Sequence, residues 1–108
     1  MNVRSQAYMV IRDAIAKKQQ VIATYKGHVR EMCPHVIGTK NGKEQALFYQ
    51  FGGTSSSKAI VTWNEGNWRC LAISELRDVS VRDGEWYSVS RHSCPQRCVD
   101  NIDLEVEH

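Results

Sequence analysis

Hydrophobic and polar residues follow a helical spacing at the start of the chain. Between residues 5 and 18 the apolar positions recur every three or four residues, a stripe typical of an amphipathic helix with one buried face. Ser5 suits the N-cap, and Lys17 and Lys18 suit the negative end of the helix dipole. The pattern predicts a helix over residues 5–18, with a stripe formed by Ala7, Val10, Ile11, Ala14 and Ile15.

From residue 20 onward the pattern becomes that of β-strands: residues 21–25 are β-branched and aromatic, and residues 29–38 alternate with a period of two. Glycine-containing segments separate the strands, and the Asn41-Gly42 pair is a strong hairpin signal. Alternation resumes at Ile102, which predicts a last strand or a docking segment in the tail. The five main predicted strands span residues 21–25, 29–38, 45–51, 68–73 and 76–82.

This order of elements predicts a mainly β fold with one N-terminal helix. One helix followed by about five short strands is typical of a small, strongly bent antiparallel β-barrel. The length of 108 residues fits a single domain, residues 1–108. We divide it into a helix over about 5–18, a barrel over about 20–82 and a C-terminal extension over 83–108.

Composition and charge narrow the class of protein. With 42% hydrophobic and 24% charged residues the chain is typical of globular proteins, and a formal net charge of +2 excludes nucleic-acid binding by overall charge alone. No apolar run approaches the ~18 residues of a membrane span, and no apolar segment follows the first charges as in a secretory signal. We expect a cytoplasmic protein without a membrane partner, whose four cysteines are reduced.

Two arginines are predicted to point into the barrel. Side chains alternate along a strand, so Arg30 shares a face with Met32 and Val36, and Arg69 shares a face with Leu71. If these apolar residues form the core, both arginines point inward at strand ends. An inward arginine needs an acceptor because an unpaired buried charge is costly, and the acceptor is either a protein carboxylate or an anionic ligand.

The cysteines and histidines offer a second chemistry. Cys33 and His35 have the same-face spacing of a strand, which suits a thiolate–imidazole pair or two metal ligands. No orienting residue accompanies them, so we predict no enzyme activity. His92, Cys94 and Cys98 could form a zinc tetrahedron with either Cys33 or His35, although the Cys-x3-Cys spacing differs from the usual paired zinc knuckles. Zinc therefore remains an alternative, and no metal or other cofactor is predicted.

Aromatic residues and a glycine-serine segment are further candidates for binding. Small barrels with aromatic and basic faces bind single strands by stacking and phosphate contacts, but such rings also fill or cover a small core. Residues 52–57 lack the order of a P-loop, and a turn is expected there. The candidate rings are Tyr25, Tyr49, Trp63, Trp68, Trp86 and Tyr87.

Residues 14–15, 21–25, 29–34 and 68–79 together resemble the WYL domain, and the likeness covers about residues 8–82. The shared pattern is a short helix, a strand that ends in tyrosine, an R-x-x-x-P strand and later strands with matching apolar positions. Small stand-alone WYL-like bacterial proteins are more similar still. The motifs that carry this likeness are Pro34-His35, Gly38, Tyr49-Gln50, Gly52-Gly53, Ser55 and Trp68-Arg69.

The resemblance implies an Sm-like, SH3-type barrel that binds a ligand, often a nucleotide or nucleic acid, in bacterial transcriptional regulators and defence-associated proteins. Tyr25, Arg30 and Arg69 match family positions implicated in the ligand pocket. The chain departs from the family at 45–49, which reads Gln-Ala-Leu-Phe-Tyr in place of Trp-Tyr-Leu, and at Glu75, where a basic residue is usual. No helix-turn-helix precedes the barrel.

The sequence predicts a non-enzymatic ligand-binding regulatory module of WYL type. It would bind an anionic ligand, a nucleotide or single-stranded nucleic acid, at the barrel mouth. The alternatives are a structural or protein-interaction module that forms a homodimer through an exposed edge, and a Cys/His zinc-binding module. His35 lies on the parity opposite to Arg30, so its inclusion rests on the resemblance alone. The predicted ligand-binding residues are Tyr25, Arg30, His35, Tyr49 and Arg69.

Overall fold

In the described part of the chain, one α-helix packs on a six-stranded antiparallel sheet. The structure is a computed structural model that describes residues 5–53, 67–87 and 98–106. The predicted helix and five main strands are confirmed, and the tail supplies a sixth strand. The elements are α1 (Gln6–Lys17), β1 (Gln20–Tyr25), β2 (His28–Lys40), β3 (Lys43–Gly53), β4 (Trp68–Ala72), a 3-10 helix (Ile73–Glu75), β5 (Leu76–Arg82) and β6 (Asn101–Glu105).

Helix α1 begins and ends as its sequence indicates. The Ser5 hydroxyl accepts a hydrogen bond from the Tyr8 N–H at 3.2 Å, and Lys18 closes the helix in the left-handed conformation with φ 53°. The buried face includes Tyr8, which the predicted stripe omitted. Its phenol can be buried because the hydroxyl donates to Asp103 Oδ2 at 2.6 Å.

The sheet is antiparallel, with the strand order β4-β3-β2-β1-β5, and β6 pairs with β2 outside this path. The 13-residue strand β2 is long enough to pair along one edge with β1 and, farther on, with β6. The chain before β6 crosses directly over Gly38, where a Cβ atom would collide with the Asn101 backbone and the Val99 side chain. Among the described strands β4 and β5 do not pair, so a closed barrel is not confirmed.

A β-bulge in β2 changes which residues face the core. Pro34 and Val36 pair with adjacent residues of β3, so His35 is an extra residue in the strand. Met32 and Ile37 consequently lie in the same core cluster, whereas Val36 lies in another. The prediction that Met32 and Val36 share the core face is therefore wrong, because the extra residue inverts the alternation.

The sheet has two buried sides. We call the side under α1 the helix face, and the opposite side, covered by Tyr87 and residues 98–99, the tail face. The helix face holds the largest core cluster, and the tail face holds two smaller ones. Buried on the helix face are Tyr8, Ile11, Ala14, Ile15, Val21, Ala23, Met32, Ile37, Ala46, Phe48, Leu71, Ile73, Leu76 and Val106.

The C-terminal residues 98–106 are an integral part of the sheet. The Val106 N–H donates to the His35 carbonyl at 2.7 Å, which continues the pairing of β6 with β2. Asp103 fixes the same strand to the helix, since its Oδ2 accepts from Arg12 Nε at 3.0 Å as well as from Tyr8. In the part of the chain that the structure describes, no helix has the length and apolar character needed to cross a membrane.

Candidate anion-binding site

Arg30 is a buried cation near the start of β2, with 4% of its surface exposed. It lies opposite Ala23 of β1 and Gly53 of β3, on the helix face. Gly53 has φ 84°, and a Cβ atom there would lie 2.9 Å from the Arg30 Cα, so only glycine fits where the two strands meet. The sheet thus encloses the arginine at the end of the core.

The Arg30 guanidinium has only neutral partners among the described residues. Its Nη1 donates to Gln50 Oε1 at 3.2 Å, and its Cζ lies 5.0 Å from the centre of the Tyr25 ring. Its Nε is buried and has no hydrogen-bond acceptor within the described part of the chain. None of the ion pairs formed by the described residues involves Arg30. A buried charge in this situation is costly unless another partner binds it.

Arg69 adds a second positive charge to this site. It lies opposite Phe48 in the ladder between β3 and β4, on the same face as Leu71, and its Nη1 donates to the Trp68 carbonyl at 3.3 Å. Burial, followed by the charge of Arg69, lowers the pKa of Arg30 below its usual value. The fold therefore brings two like charges together in a place where one of them is poorly solvated.

Gln50 and Tyr25 complete the site, which we call the cationic cluster: Tyr25, Arg30, Gln50 and Arg69. Gln50 is fully buried, and its Nε2 donates to the Gly52 carbonyl at 3.0 Å, which orients Oε1 towards Arg30. The Tyr25 hydroxyl donates to Glu75 Oε2 at 3.3 Å, while its ring lies beside Arg30 and 5.4 Å from Lys26 Nζ. Tyr25 therefore contributes a cation–π contact.

The structure brings together three of the five predicted site residues, Tyr25, Arg30 and Arg69. It places Tyr49 and His35 on the tail face instead. Tyr49 is fully buried beside Cys33, with its ring 5.2 Å from that of Trp68. These two residues are therefore separated from the cationic cluster by the sheet itself, because Tyr49 alternates with Gln50 and His35 sits at the bulge.

His35 belongs to an aromatic cluster that we define as His35, Tyr49, Trp68 and Trp86. Its ring centre lies 4.7 Å from Trp68 and 4.9 Å from Trp86, and 3% of the residue is exposed. Nδ1 lies 2.8 Å from the Cys33 carbonyl oxygen, which only accepts, so Nδ1 carries the proton. The imidazole is thus held by packing and a backbone contact.

Sequence reasoning missed Gln50, the residue that positions Arg30. The signal was available in the parity of β3, where Ala46, Phe48 and Gln50 alternate on one face.

Cys33 has the surroundings of a buried structural thiol. Burial raises the pKa of Cys33 to about 11, although the Tyr87 N–H donates to its Sγ at 3.3 Å and opposes that rise. Among the described residues no hydrogen bond joins the Cys33 thiol to the His35 ring. A thiol that stays protonated at neutral pH is a poor nucleophile.

Cys70 and Cys98 form a disulfide, so the expectation that all four cysteines are reduced is wrong for this pair. Their Cα atoms lie 5.5 Å apart because the chain that leads into β6 crosses the tail face beside β4. Gln45 Nε2 donates to the Cys98 carbonyl at 2.7 Å and fixes this crossing. The sulfur of Cys98, one of the predicted zinc ligands, is therefore part of a disulfide.

The other predicted zinc ligands, His92 and Cys94, lie outside the described residues, as do Trp63 and residues 54–57 of the glycine-serine segment. Within the described ranges, no group of three His, Cys, Asp or Glu residues is arranged to hold a metal ion.

No protein-family model, curated protein or solved structure matches this chain. The similarity to the WYL domain therefore stays a prediction made from the sequence.

Proposed function

We propose that this chain is a non-enzymatic, ligand-binding regulatory module of WYL type, and that its cationic cluster binds the phosphate of a nucleotide or of single-stranded nucleic acid. The observation that supports it most is the state of Arg30, which is 4% exposed, has a buried Nε without an acceptor, and has no carboxylate partner among the described residues. An oxyanion would supply the missing acceptor and offset the repulsion between Arg30 and Arg69.

The orientation of the guanidinium favours an oxyanion. Nη1 is directed to Gln50 and Nε has no acceptor among the described residues, so we infer that the ligand meets the guanidinium on its Nε edge. This edge matches two oxygens of a phosphate or carboxylate in a bidentate contact. Arg69 then contributes charge from the neighbouring strand, and the fixed amide of Gln50 keeps the Arg30 side chain from turning away.

The ligand would be recognised through its charge rather than through a stacked base. The ring of Tyr25 already lies close to Arg30 and Lys26, which reduces the area it can offer to a nucleobase. Contacts to phosphate position a nucleic acid without reading its sequence. We therefore expect little preference among base sequences.

An Sm-like, SH3-type barrel is part of this proposal. Its support is the connection between β4 and β5, the outer strands in the strand order, which only the three-residue 3-10 helix Ile73–Glu75 separates in the chain. A sheet whose two ends are joined by so short a segment must curve until the ends approach one another. That curvature would make the cationic cluster the lining of a mouth.

Titration with inorganic phosphate, a nucleoside triphosphate and a short single-stranded oligonucleotide tests the proposal. We expect the oligonucleotide to bind most tightly, with an affinity that falls steeply as salt is added. The double variant Arg30→Gln, Arg69→Gln should lose binding. Lys43→Gln, which removes a charge at the far end of the β2–β3 hairpin, should retain it.

Two results would contradict the proposal. One is equal affinity in the double variant and the unmodified chain, measured by calorimetry with both proteins folded. The other is no binding of any of the three anions by the unmodified chain at low salt.

A further inference from the structure

The disulfide between Cys70 and Cys98 is asymmetric in its exposure. Cys70 is exposed on strand β4, whereas Cys98 is 5% exposed within a cluster on the tail face that includes Leu47 and Val99. Thiol–disulfide exchange requires the attacking sulfur to reach one of the two sulfurs. Access therefore favours attack on Cys70, with Cys98 as the leaving group.

The surroundings of Cys98 fit a thiol as well as a disulfide. Its Sγ lies 3.3 Å from the Ala46 carbonyl oxygen. In the disulfide this sulfur has no hydrogen to donate, but the thiol produced by exchange can donate one to that oxygen. The leaving group would thus be accommodated where it stands, without a rearrangement of the core.

We propose that the Cys70–Cys98 disulfide is a thiol-exchange site at which a low-molecular-mass thiol attacks Cys70, and that opening it weakens anion binding by releasing β4. The effect on anion binding rests on the proposed function, whereas the exchange at Cys70 does not.

The exchange proceeds in two steps. The thiolate of the small thiol forms a bond to Cys70 Sγ, the Cys70–Cys98 bond breaks, and its electron pair remains on Cys98, which takes a proton from solvent. A second small thiol then attacks the mixed disulfide and releases Cys70 as a thiol. Overall the protein disulfide is reduced by two electrons, and two small thiols are oxidised to their disulfide.

Contacts that do not involve the disulfide hold the tail in place after exchange. Strand β6 keeps its pairing with β2, Val106 stays in the core of the helix face, and Asp103 remains bonded to Tyr8 and Arg12. Opening is therefore expected to be local, and to affect mainly residues 98–99 and β4.

Strand β4 connects the disulfide to the cationic cluster. Cys70 and Arg69 are neighbours on opposite faces of this five-residue strand, which among the described strands pairs only with β3. A short outer strand that loses its cross-link frays more readily. We expect Arg69 to be held less firmly and the affinity for an oligonucleotide to fall roughly tenfold, the size of losing one charge-assisted hydrogen bond.

The exchange is tested with the variant Cys94→Ser, which leaves the buried Cys33 as the only cysteine outside the disulfide. The oxidised, folded protein is incubated with glutathione, quenched with acid, and examined by intact mass and peptide mapping. At short incubation times, before the second step, we expect one glutathione on Cys70 and none on Cys98. No reaction unless denaturant is added, or an adduct on Cys98, would overturn the proposal.

The coupling is tested by measuring oligonucleotide affinity before and after opening, and in Cys70→Ser. Circular dichroism should show that the sheet is retained, and unfolding on reduction would contradict a local opening. Equal affinities in the open and closed forms would overturn the coupling and leave the exchange site standing. If the closed form binds no anion, the proposed function fails, while the position of the glutathione adduct still decides the exchange.

Discussion

The cationic cluster and the aromatic cluster show two ways of burying a polar side chain on the same strand. Arg30 and His35 are both carried by β2, and 4% and 3% of their surfaces are exposed. His35 satisfies Nδ1 on the Cys33 carbonyl and packs against two indoles, whereas the Nε of Arg30 finds no acceptor among the described residues. Burial alone does not mark a site, but burial of a charge without a counter-charge does.

Truncation of His35 should have the largest effect on stability. We expect His35→Ala to lower the free energy of unfolding by about 3 kcal/mol, because it removes the packing between Trp68 and Trp86. Oligonucleotide affinity at low temperature should stay unchanged. Denaturant unfolding and anisotropy measure the two quantities, and a loss of affinity in the folded variant would place His35 in the binding site after all.

Replacement of Arg30 should have the opposite effect. Arg30→Met is expected to weaken oligonucleotide binding about 100-fold, since it removes the bidentate donor. Its free energy of unfolding should be unchanged or higher by about 1 kcal/mol, because an unpaired buried charge disappears. Lys43→Gln serves as the control for a lost charge. Destabilisation by about 3–5 kcal/mol would instead identify Arg30 as one half of a buried ion pair.

High pH should lower the free energy of unfolding because Cys33, which is buried on the tail face, loses its proton. Its pKa is raised from 9.0 to about 11, so the folded state holds the proton more tightly than the unfolded chain does. The protonated thiol therefore contributes on the order of 2 kcal/mol to the stability of the folded state. This stabilisation is fully present below pH 9 and is lost as the pH rises through 11. The free energy of unfolding, measured from pH 8 to 11, should therefore fall less steeply with pH in Cys33→Ala than in the unmodified chain. Identical slopes would exclude this thiol as the cause.

The stabilisation of the folded chain by added phosphate should be the smallest of these effects. At ten times its dissociation constant it would stabilise the folded chain by about 1.4 kcal/mol, since it binds only the folded state. Chloride at matched ionic strength controls for screening, and Arg30→Met should abolish the difference in melting temperature between the two salts. A phosphate effect that persists in this variant would point to binding elsewhere on the surface.

Local patterns in the sequence were sufficient for most of the fold. Ser5 and the apolar stripe after it located α1, the Asn41-Gly42 pair located the β2–β3 turn, and alternation from Ile102 located the last strand. Each of these signals depends only on neighbours in the chain, so each could be predicted without knowing the partner. The inward direction of Arg30 and Arg69 followed from the same alternation.

Only the tertiary structure decided which distant segments meet. The extra residue at His35 reversed the parity of β2, and no local signal distinguishes such a bulge from a regular strand. The Cys70–Cys98 bond depends on the crossing of the tail over β3, which the spacing of the cysteines does not reveal. The sequence by itself determined a helix, the strands and two inward arginines; the pairing of β6 with β2 and the role of Gln50 required the fold, because register is set by contacts between segments far apart in the chain.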